Sequence, residues 1–227
     1  MIIIGNIKTI EDWFLFAPPK GGEKHWKDGR SAKELAKYFI NANGNLPCEI
    51  SEMVNKYNSP MLDYNCFPER KTKFDMIKGE PRNHDMVMVA KESHIICIEA
   101  KADEPFGETV ELEWEKASDN KRKRIYGLAR NLFGKDTVDD NIKPLRYQLL
   151  TAIAGTVAEA KIQKIKTAVF LVLVLKKNGC YSDEKIMANK QDYDDLLKIL
   201  ENQCKQPLHL PGYKCISLYT DYIEVTV

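Results

Sequence analysis

The sequence predicts an α/β domain in which helices cover both faces of a mixed central sheet. Two neighbouring apolar runs, at 84–90 and 94–101, are separated by three polar residues, as in a hairpin of interior strands. The run TAVFLVLVL at 167–175 is continuously apolar, which is typical of a strand covered on both faces. Before and after these strands, apolar residues recur at helical spacing. Alternating elements of this kind indicate the α/β class.

Three helices are expected in the first quarter of the chain. Thr9 stands in front of the pattern TIEDWFLF, which two prolines end, and a glycine-rich basic loop follows. This loop lacks the spacing of a phosphate-binding P-loop. Ser31 is placed to cap a second helix at 31–42, whose apolar residues fall on one stripe. Pro47 then opens a third helix.

The remainder of the chain continues the alternation of helices and strands. Residues 58–83 are rich in proline and charge, and they predict a long loop with one short strand at 73–77. The other expected elements are the two hairpin strands, a helix at 108–132, a helix after Pro144, the strand at 167–175, a helix near 189–203 and closing strands within 214–227. No repeat or linker interrupts this order, so residues 1–227 are predicted to form a single domain.

Composition restricts the partners and the compartment. The 227 residues are 44% hydrophobic, which is ordinary for a chain with a full core. Lys plus Arg is 34 and Asp plus Glu is 33, so a surface that binds anions must be local. The six cysteines show no zinc-ligand spacing. The longest apolar run is too short to cross a bilayer, and we expect a cytoplasmic protein without a membrane partner.

The predicted hairpin carries charges at its outer end. If the strands pair symmetrically about Glu92, Asp85 faces Glu99, and Lys101 shares the face of Glu99. Opposed carboxylates destabilise a sheet unless a cation neutralises them, and oxygen ligands suit Mg²⁺ or Mn²⁺. Lys101 would then lie where it can act on an attacking water. The alternative interpretation is an ion pair of Lys101 with either acid at the rim of the sheet.

Strand alternation also assigns the apolar residues of the hairpin to its two faces. The face of Glu99 is predicted to carry Val87, Val89, Ile95 and Cys97. The opposite face is predicted to carry Met86, Met88, Ile96 and Ile98. Both faces are therefore expected to lie under helices.

Asp85, followed after an apolar strand by Glu99-Ala100-Lys101, resembles the D…E-x-K signature of the PD-(D/E)XK nuclease superfamily. The predicted order of elements is also similar to the restriction-endonuclease-like αβββαβ core of that superfamily, over roughly residues 31–175. His84 stands where the signature has proline, a residue that many members of the superfamily also lack. The stretches RNHD and EAKADEPFG resemble a group of uncharacterised bacterial proteins placed in the superfamily, a likeness that identifies no substrate.

The resemblance implies a divalent-metal-dependent nuclease that hydrolyses phosphodiester bonds of nucleic acid, with DNA as the expected substrate. It implies that Asp85 and Glu99 hold Mg²⁺ (or Mn²⁺) and that Lys101 acts on the nucleophilic water. The alternative is a catalytically inactive member of the same fold that binds nucleic acid or protein. The sequence is compatible with a homodimer and does not determine the oligomeric state.

Two further positions follow from the resemblance. Many such nucleases carry an acid on the first core helix, where Glu49 is preferred here and Glu34 is the other candidate. Either acid could instead complement a helix dipole. Some relatives carry a glutamine on the helix after the E-x-K strand, and Gln148 fits this position.

Basic residues near the hairpin are the candidates for phosphate contacts. Arg82 precedes Asp85, and the glycine-rich loop contributes Lys20, Lys24, Lys27 and Arg30. The run KRKR at 121–124 falls on a predicted helix, where consecutive residues point in different directions and cannot form one patch.

Overall fold

The computed structural model describes residues 2–5, 7–57, 62–102, 104–176, 182–201 and 205–227, without the side chain of Ile3. Within these residues the helices are α1 (Ile10–Phe16), α2 (Ser31–Asn41), α3 (Cys48–Lys56), α4 (Val110–Glu115), α5 (Asp119–Phe133), α6 (Tyr147–Ile162) and α7 (Asp183–Glu201). The strands are β1 (Ile2–Ile3), β2 (Tyr64–Thr72), β3 (Arg82–Ala90), β4 (His94–Lys101), β5 (Thr167–Lys176) and β6 (Ser217–Thr226). A short 3-10 helix spans Gly22–Lys24.

The six strands of the described chain form one mixed sheet in which spatial order follows sequence order. β2, β3 and β4 form an antiparallel meander, whereas β4, β5 and β6 run parallel. Parallel neighbours need crossover connections, which α4 to α6 and α7 supply. The predicted α/β class, with helices flanking a mixed sheet, is therefore confirmed.

The hairpin has the predicted register and faces. Its pairs run from Met86 with Ile98 to Ala90 with His94, and are symmetric about Glu92. The side chains of Val87, Val89, Ile95 and Cys97 pack with residues of α5, α6 and α7. Those of Met86, Met88, Ile96 and Ile98 pack with α1, α2 and α3. The sheet thus separates two hydrophobic cores.

The expectation of a loop across most of 58–83 was wrong. Residues 64–72 form β2, and the predicted strand at 73–77 is not formed. The strand was hidden because Pro68 and three charged residues break the apolar alternation, although Tyr64, Cys66 and Thr72 are buried. Residues 58–61 lie outside the described chain.

The helices also differ in detail from their predicted bounds. The stretch predicted as one helix at 108–132 is divided, because Ser118 begins a new helix by accepting a hydrogen bond from the Lys121 amide at 3.4 Å. Arg30, not Ser31, occupies the cap position of α2. α7 begins before the predicted residue 189. No helix of the described chain has the length and hydropathy that crossing a membrane requires.

Candidate active site

The β3–β4 ladder stops where the charged residues begin. Its last pair is Met86 with Ile98, one position before Asp85. Beyond this point, an Asp85 side-chain oxygen accepts a hydrogen bond from the Ala100 amide at 2.7 Å. The expectation of a direct ladder pair between Asp85 and Glu99 is therefore corrected, since Asp85 contacts β4 through its side chain at the neighbouring residue.

The end of the hairpin away from its turn, where the ladder stops, is called the open end. Glu99 lies there at the centre of a buried polar network. Its carboxylate accepts hydrogen bonds from the Arg82 guanidinium and the Gln148 amide. Lys101 Nζ lies 3.0 Å from Glu99 Oε1 and 3.2 Å from Gln148 Oε1. Glu99 is 2% exposed and Lys101 5% exposed. The ion pair that formed the alternative interpretation of Lys101 thus exists, but it is buried, where an unpaired charge would be strongly destabilising.

The close approach of α6 to β3 depends on Gly155. A Cβ atom at this position would lie 2.8 Å from Arg82 Cγ and 2.8 Å from His84 Nε2. Glycine therefore lets α6 pack directly on the strand that carries Arg82 and Asp85. Burial and the Arg82 charge lower the pKa of His84 to about 3, so its imidazole is neutral near physiological pH.

Burial opposes ionisation of the groups at the open end. It raises the pKa of the Asp85 carboxyl, while Lys101, Arg82 and the Ala100 amide act in the opposite direction. Burial lowers the pKa of Lys101, and Asp85 and Glu104 partly counteract this shift. These shifts reflect acids and amines held together in a poorly solvated place, which is common at functional sites.

Glu69 on β2 is a third acid at the site that the sequence interpretation missed. Its backbone has a positive φ of 52°, and the β2–β3 ladder has no pair between Glu69 and Asp85 among the described residues. The Asn83 amide donates a hydrogen bond to its carboxylate. Burial and the nearby Asp85 raise the pKa of Glu69 to about 7. Recognising 64–72 as a strand would have placed Glu69 beside Asp85.

These residues line a cleft of about 870 Å³. Its acidic side chains are Glu69, Glu80, Asp85, Glu99 and Glu104. Its basic side chains outside the buried network are Lys20, Lys24, Arg30, Lys78, Lys121 and Arg124. Lys27 of the glycine-rich loop is not among the described residues that line the cleft. In the run at 121–124, only the first and last residues reach it, as the helical geometry predicts.

The structure does not bring Glu49 or Glu34 to this cleft. Both line a separate groove of about 450 Å³, because the sheet face that α2 and α3 cover is opposite to that of Gln148. Glu49 accepts a hydrogen bond from the Tyr38 hydroxyl at 2.8 Å. Glu34 accepts one from the Gly29 amide at 2.7 Å and pairs with Lys37. Their observed partners are therefore structural ones.

A family model called domain of unknown function, DUF6946, matches residues 6–224. The chain belongs to this family. No curated protein and no solved structure matches it.

The described part of this DUF6946 chain contains no group of three or more His, Cys, Asp or Glu side chains arranged to hold a metal ion. Asp85 and Glu99 therefore remain a pair of candidate ligands. Mg²⁺ in proteins commonly uses one or two carboxylates and keeps several waters. The residues present fit a hydrated hard cation better than a fully protein-ligated one.

Proposed function

We propose that this DUF6946 protein is a divalent-metal-dependent nuclease that hydrolyses phosphodiester bonds, with DNA as the expected substrate. The observation that carries the proposal is the placement of half-buried Asp85 with buried Glu99 and Lys101 at the open end of the hairpin, inside a cleft with a basic rim. The order of α2, β2, β3, β4, α6 and β5 supports a restriction-endonuclease-like core.

The charge balance of the site favours a bound cation. The acids Glu69, Asp85 and Glu99 line the cleft together with the cations of Arg82 and Lys101. Within the described residues, no basic group lies within 4.0 Å of the Asp85 carboxylate. Asp85 and Glu99 would hold Mg²⁺ or Mn²⁺, which when bound supplies Lewis-acid polarisation of a phosphoryl group.

The chain's own groups have separable roles in this proposal. Lys101 would orient an attacking water or stabilise negative charge on the phosphoryl oxygens, and its lowered pKa also favours proton transfer. Gln148 accepts a hydrogen bond from Lys101 and donates one to Glu99, so it positions these two side chains relative to each other. Arg82 neutralises Glu99 and adds positive charge at the inner end of the cleft.

A second candidate function is a catalytically inactive module that binds nucleic acid. The observation that favours it is the state of Glu99, whose two oxygens already accept hydrogen bonds from Arg82 and Gln148. A carboxylate neutralised in this way can remain buried without a metal ion. The two candidates differ in whether the site turns over substrate.

The decisive experiment incubates the purified protein with plasmid, linear duplex and single-stranded substrates in Mg²⁺, Mn²⁺ or EDTA. We expect cleavage that requires the cation and is abolished by Asp85→Asn and by Glu99→Gln. Lys101→Ala should lower turnover by about 10²- to 10⁴-fold while calorimetry shows little loss of metal affinity, because the amine acts in the chemical step.

The matched control for Glu99→Gln is Glu115→Gln, which changes an exposed glutamate of α4 outside the cleft. Glu115→Gln should cleave like the unmodified protein. Equal cleavage by all three site variants would mean that the activity belongs to another site or to a contaminant. Binding without cleavage on every substrate would support the inactive module.

A further inference from the structure

Two loops meet at the mouth of the cleft. Lys20, from the glycine-rich loop, and Glu80, from the loop between β2 and β3, form an ion pair, and both line the cleft. Their side chains are 77% and 78% exposed, so the contact lies at the surface. The ion pair therefore joins the two loops at the rim of the cleft.

The β2–β3 loop is held firmly in this position by Arg124 of α5. The guanidinium donates to Asp75 at 2.6 and 3.2 Å and to the Glu80 carbonyl at 3.0 Å. It also lies over the ring of Phe74, 4.9 Å from the centroid. Gly79 leaves room for it, because a Cβ there would lie 2.9 Å from an Arg124 nitrogen. The β2–β3 loop therefore forms a firmly held wall at the entrance of the cleft.

The cleft combines unpaired cations with ring systems. Lys24, Arg30 and Lys78 are exposed and form no ion pair within the described residues. The rings that line the same space belong to His25, Phe74 and Tyr147. Arg124 lies over Phe74 and Lys121 over Tyr147, whereas His25 is exposed and is the ring offered to a base. Basic side chains that follow a phosphate backbone, together with rings on which bases stack, are the usual means of binding a single strand.

The dimensions of the cleft also favour one strand over two. Its volume of about 870 Å³ falls within the range of ~300–1,000 Å³ that small-molecule pockets occupy. A B-form duplex, whose major groove alone is about 12 Å wide, is much larger than this space, so most of a duplex would remain outside it. A few unpaired nucleotides would fit.

We propose that the cleft binds single-stranded nucleic acid, with phosphates on Lys24, Arg30 and Lys78 and an unstacked base against the exposed ring of His25. This inference rests on the proposed function for the location of the reacting phosphate, and it specifies the substrate class of that site. A duplex would be engaged only where its strands are separated, at an end, flap or gap.

Fluorescence anisotropy with the Asp85→Asn protein, and with the unmodified protein in EDTA, tests binding apart from cleavage. The probes are a labelled single strand of ~12 nucleotides as DNA, the same strand as RNA, and the DNA strand annealed to its complement. At low salt we expect the single strand to bind at least about tenfold more tightly than the duplex. Comparable or tighter duplex binding would overturn the inference.

Salt titration then locates the phosphate contacts. Replacing Lys24, Arg30 and Lys78 together with alanine should lower the log-log salt slope for the single strand by about 2, since each phosphate contributes ~0.7. The matched control replaces Lys27, Lys73 and Lys123, which are exposed, carry the same total charge and do not line the cleft. An equal loss in both triple variants would mean that only net charge attracts the strand, which contradicts the proposed contacts.

Base stacking is tested with an abasic strand, which keeps its phosphates and loses its bases. The unmodified protein should prefer the normal strand by about 5- to 100-fold, and His25→Ala should reduce that preference. Circular dichroism would verify that each variant is folded. No preference for the normal strand by the unmodified protein would overturn the stacking contacts.

Failure of this inference can be told apart from failure of the proposed function. Preferential single-strand binding without any metal-dependent cleavage would sustain the binding surface and refute the nuclease. Metal-dependent cleavage of internal duplex sites, abolished by Glu99→Gln and accompanied by no single-strand preference, would sustain the nuclease and refute the inference.

Discussion

The two ends of the β3–β4 hairpin use the same pair of strands for opposite purposes. At the turn end, five residue pairs from Met86–Ile98 to Ala90–His94 form a regular ladder between two apolar cores. The buried polar groups there are neutral and matched, as in the 2.7 Å contact of the Tyr64 hydroxyl with His94 Nε2. At the open end the ladder stops, and Arg82, Glu99 and Lys101 are buried as ions.

The difference shows that the turn end stabilises the fold, whereas the open end holds charged groups that add little stability. Each fully buried aliphatic side chain at the turn end contributes about 1.5–3 kcal/mol relative to an exposed one. Buried ion pairs at the open end gain little net stability, because desolvation offsets their attraction. Hydrophobic burial, not this arrangement, supplies most of the stability of the hairpin, and this is the reason for proposing a function for the open end.

The largest expected effect is loss of packing at the turn end. Ile96→Ala should lower the free energy of unfolding by about 2–5 kcal/mol, because it leaves a cavity at a fully buried position of the core. Asp85→Asn, in EDTA, should leave stability unchanged or raise it, since asparagine can still accept from the Ala100 amide. Urea denaturation measures both, with Ile162→Ala, 54% exposed, as control. A severe loss for Asp85→Asn would contradict the comparison.

The next effect concerns the approach of α6 to the open end. Gly155→Ala should destabilise by about 1–3 kcal/mol, because the added methyl group displaces Arg82 and His84. The control is Gly127→Ala on α5, where a Cβ meets no atom within 4 Å and helix propensity favours alanine. Thermal unfolding compares the two. An equal change in melting temperature for Gly155→Ala and Gly127→Ala would show that α6 tolerates a side chain facing β3.

A pH effect is expected from Glu69. Its folded-state pKa is raised to about 7, so between the unfolded value and pH 7 the folded state keeps a proton that the unfolded state has lost. The free energy of unfolding therefore falls as pH rises through this window. The unmodified protein should lose this stability between about pH 5 and about pH 8, and Glu69→Gln should not. The free energy of unfolding of Glu69→Gln should therefore rise by about 1–2 kcal/mol relative to that of the unmodified protein over this range, after allowance for solvent screening.

This measurement requires EDTA, so that metal binding does not mask the proton linkage. Glu115→Gln, on the exposed surface of α4, should keep the pH profile of the unmodified protein. If the free energy of unfolding of Glu69→Gln changes with pH in the same way as those of the unmodified protein and Glu115→Gln, then Glu69 ionises normally in the folded protein.

The smallest effect is expected at the second groove. Glu49→Gln should change stability by less than about 0.5 kcal/mol, because the amide oxygen can still accept from the Tyr38 hydroxyl. Cleavage, if present, should also be retained, since Glu49 does not share the cleft of Asp85. A loss of activity comparable to that of Glu99→Gln would place Glu49 in the reaction after all.

The sequence by itself determined the hairpin, its register and the nature of its two faces. Residues 82–101 are close in the chain, and their period-two pattern refers only to local geometry, so Asp85, Glu99 and Lys101 could be placed at one end. The strand β5 was also recognisable from a local pattern, its continuous apolar run. Gln148 followed from the resemblance, and the structure brings it into contact with Glu99.

Only the tertiary structure decided what surrounds these residues. β2 was concealed by Pro68 and by the left-handed Glu69, and so the third acid beside Asp85 was concealed with it. The cleft is assembled from segments that begin near residue 19 and end near residue 151, and no local pattern encodes which of their charges meet. Glu49 resembled a site residue in sequence position, but the sheet lies between its helix and α6, because packing on opposite faces is settled only when the whole sheet forms.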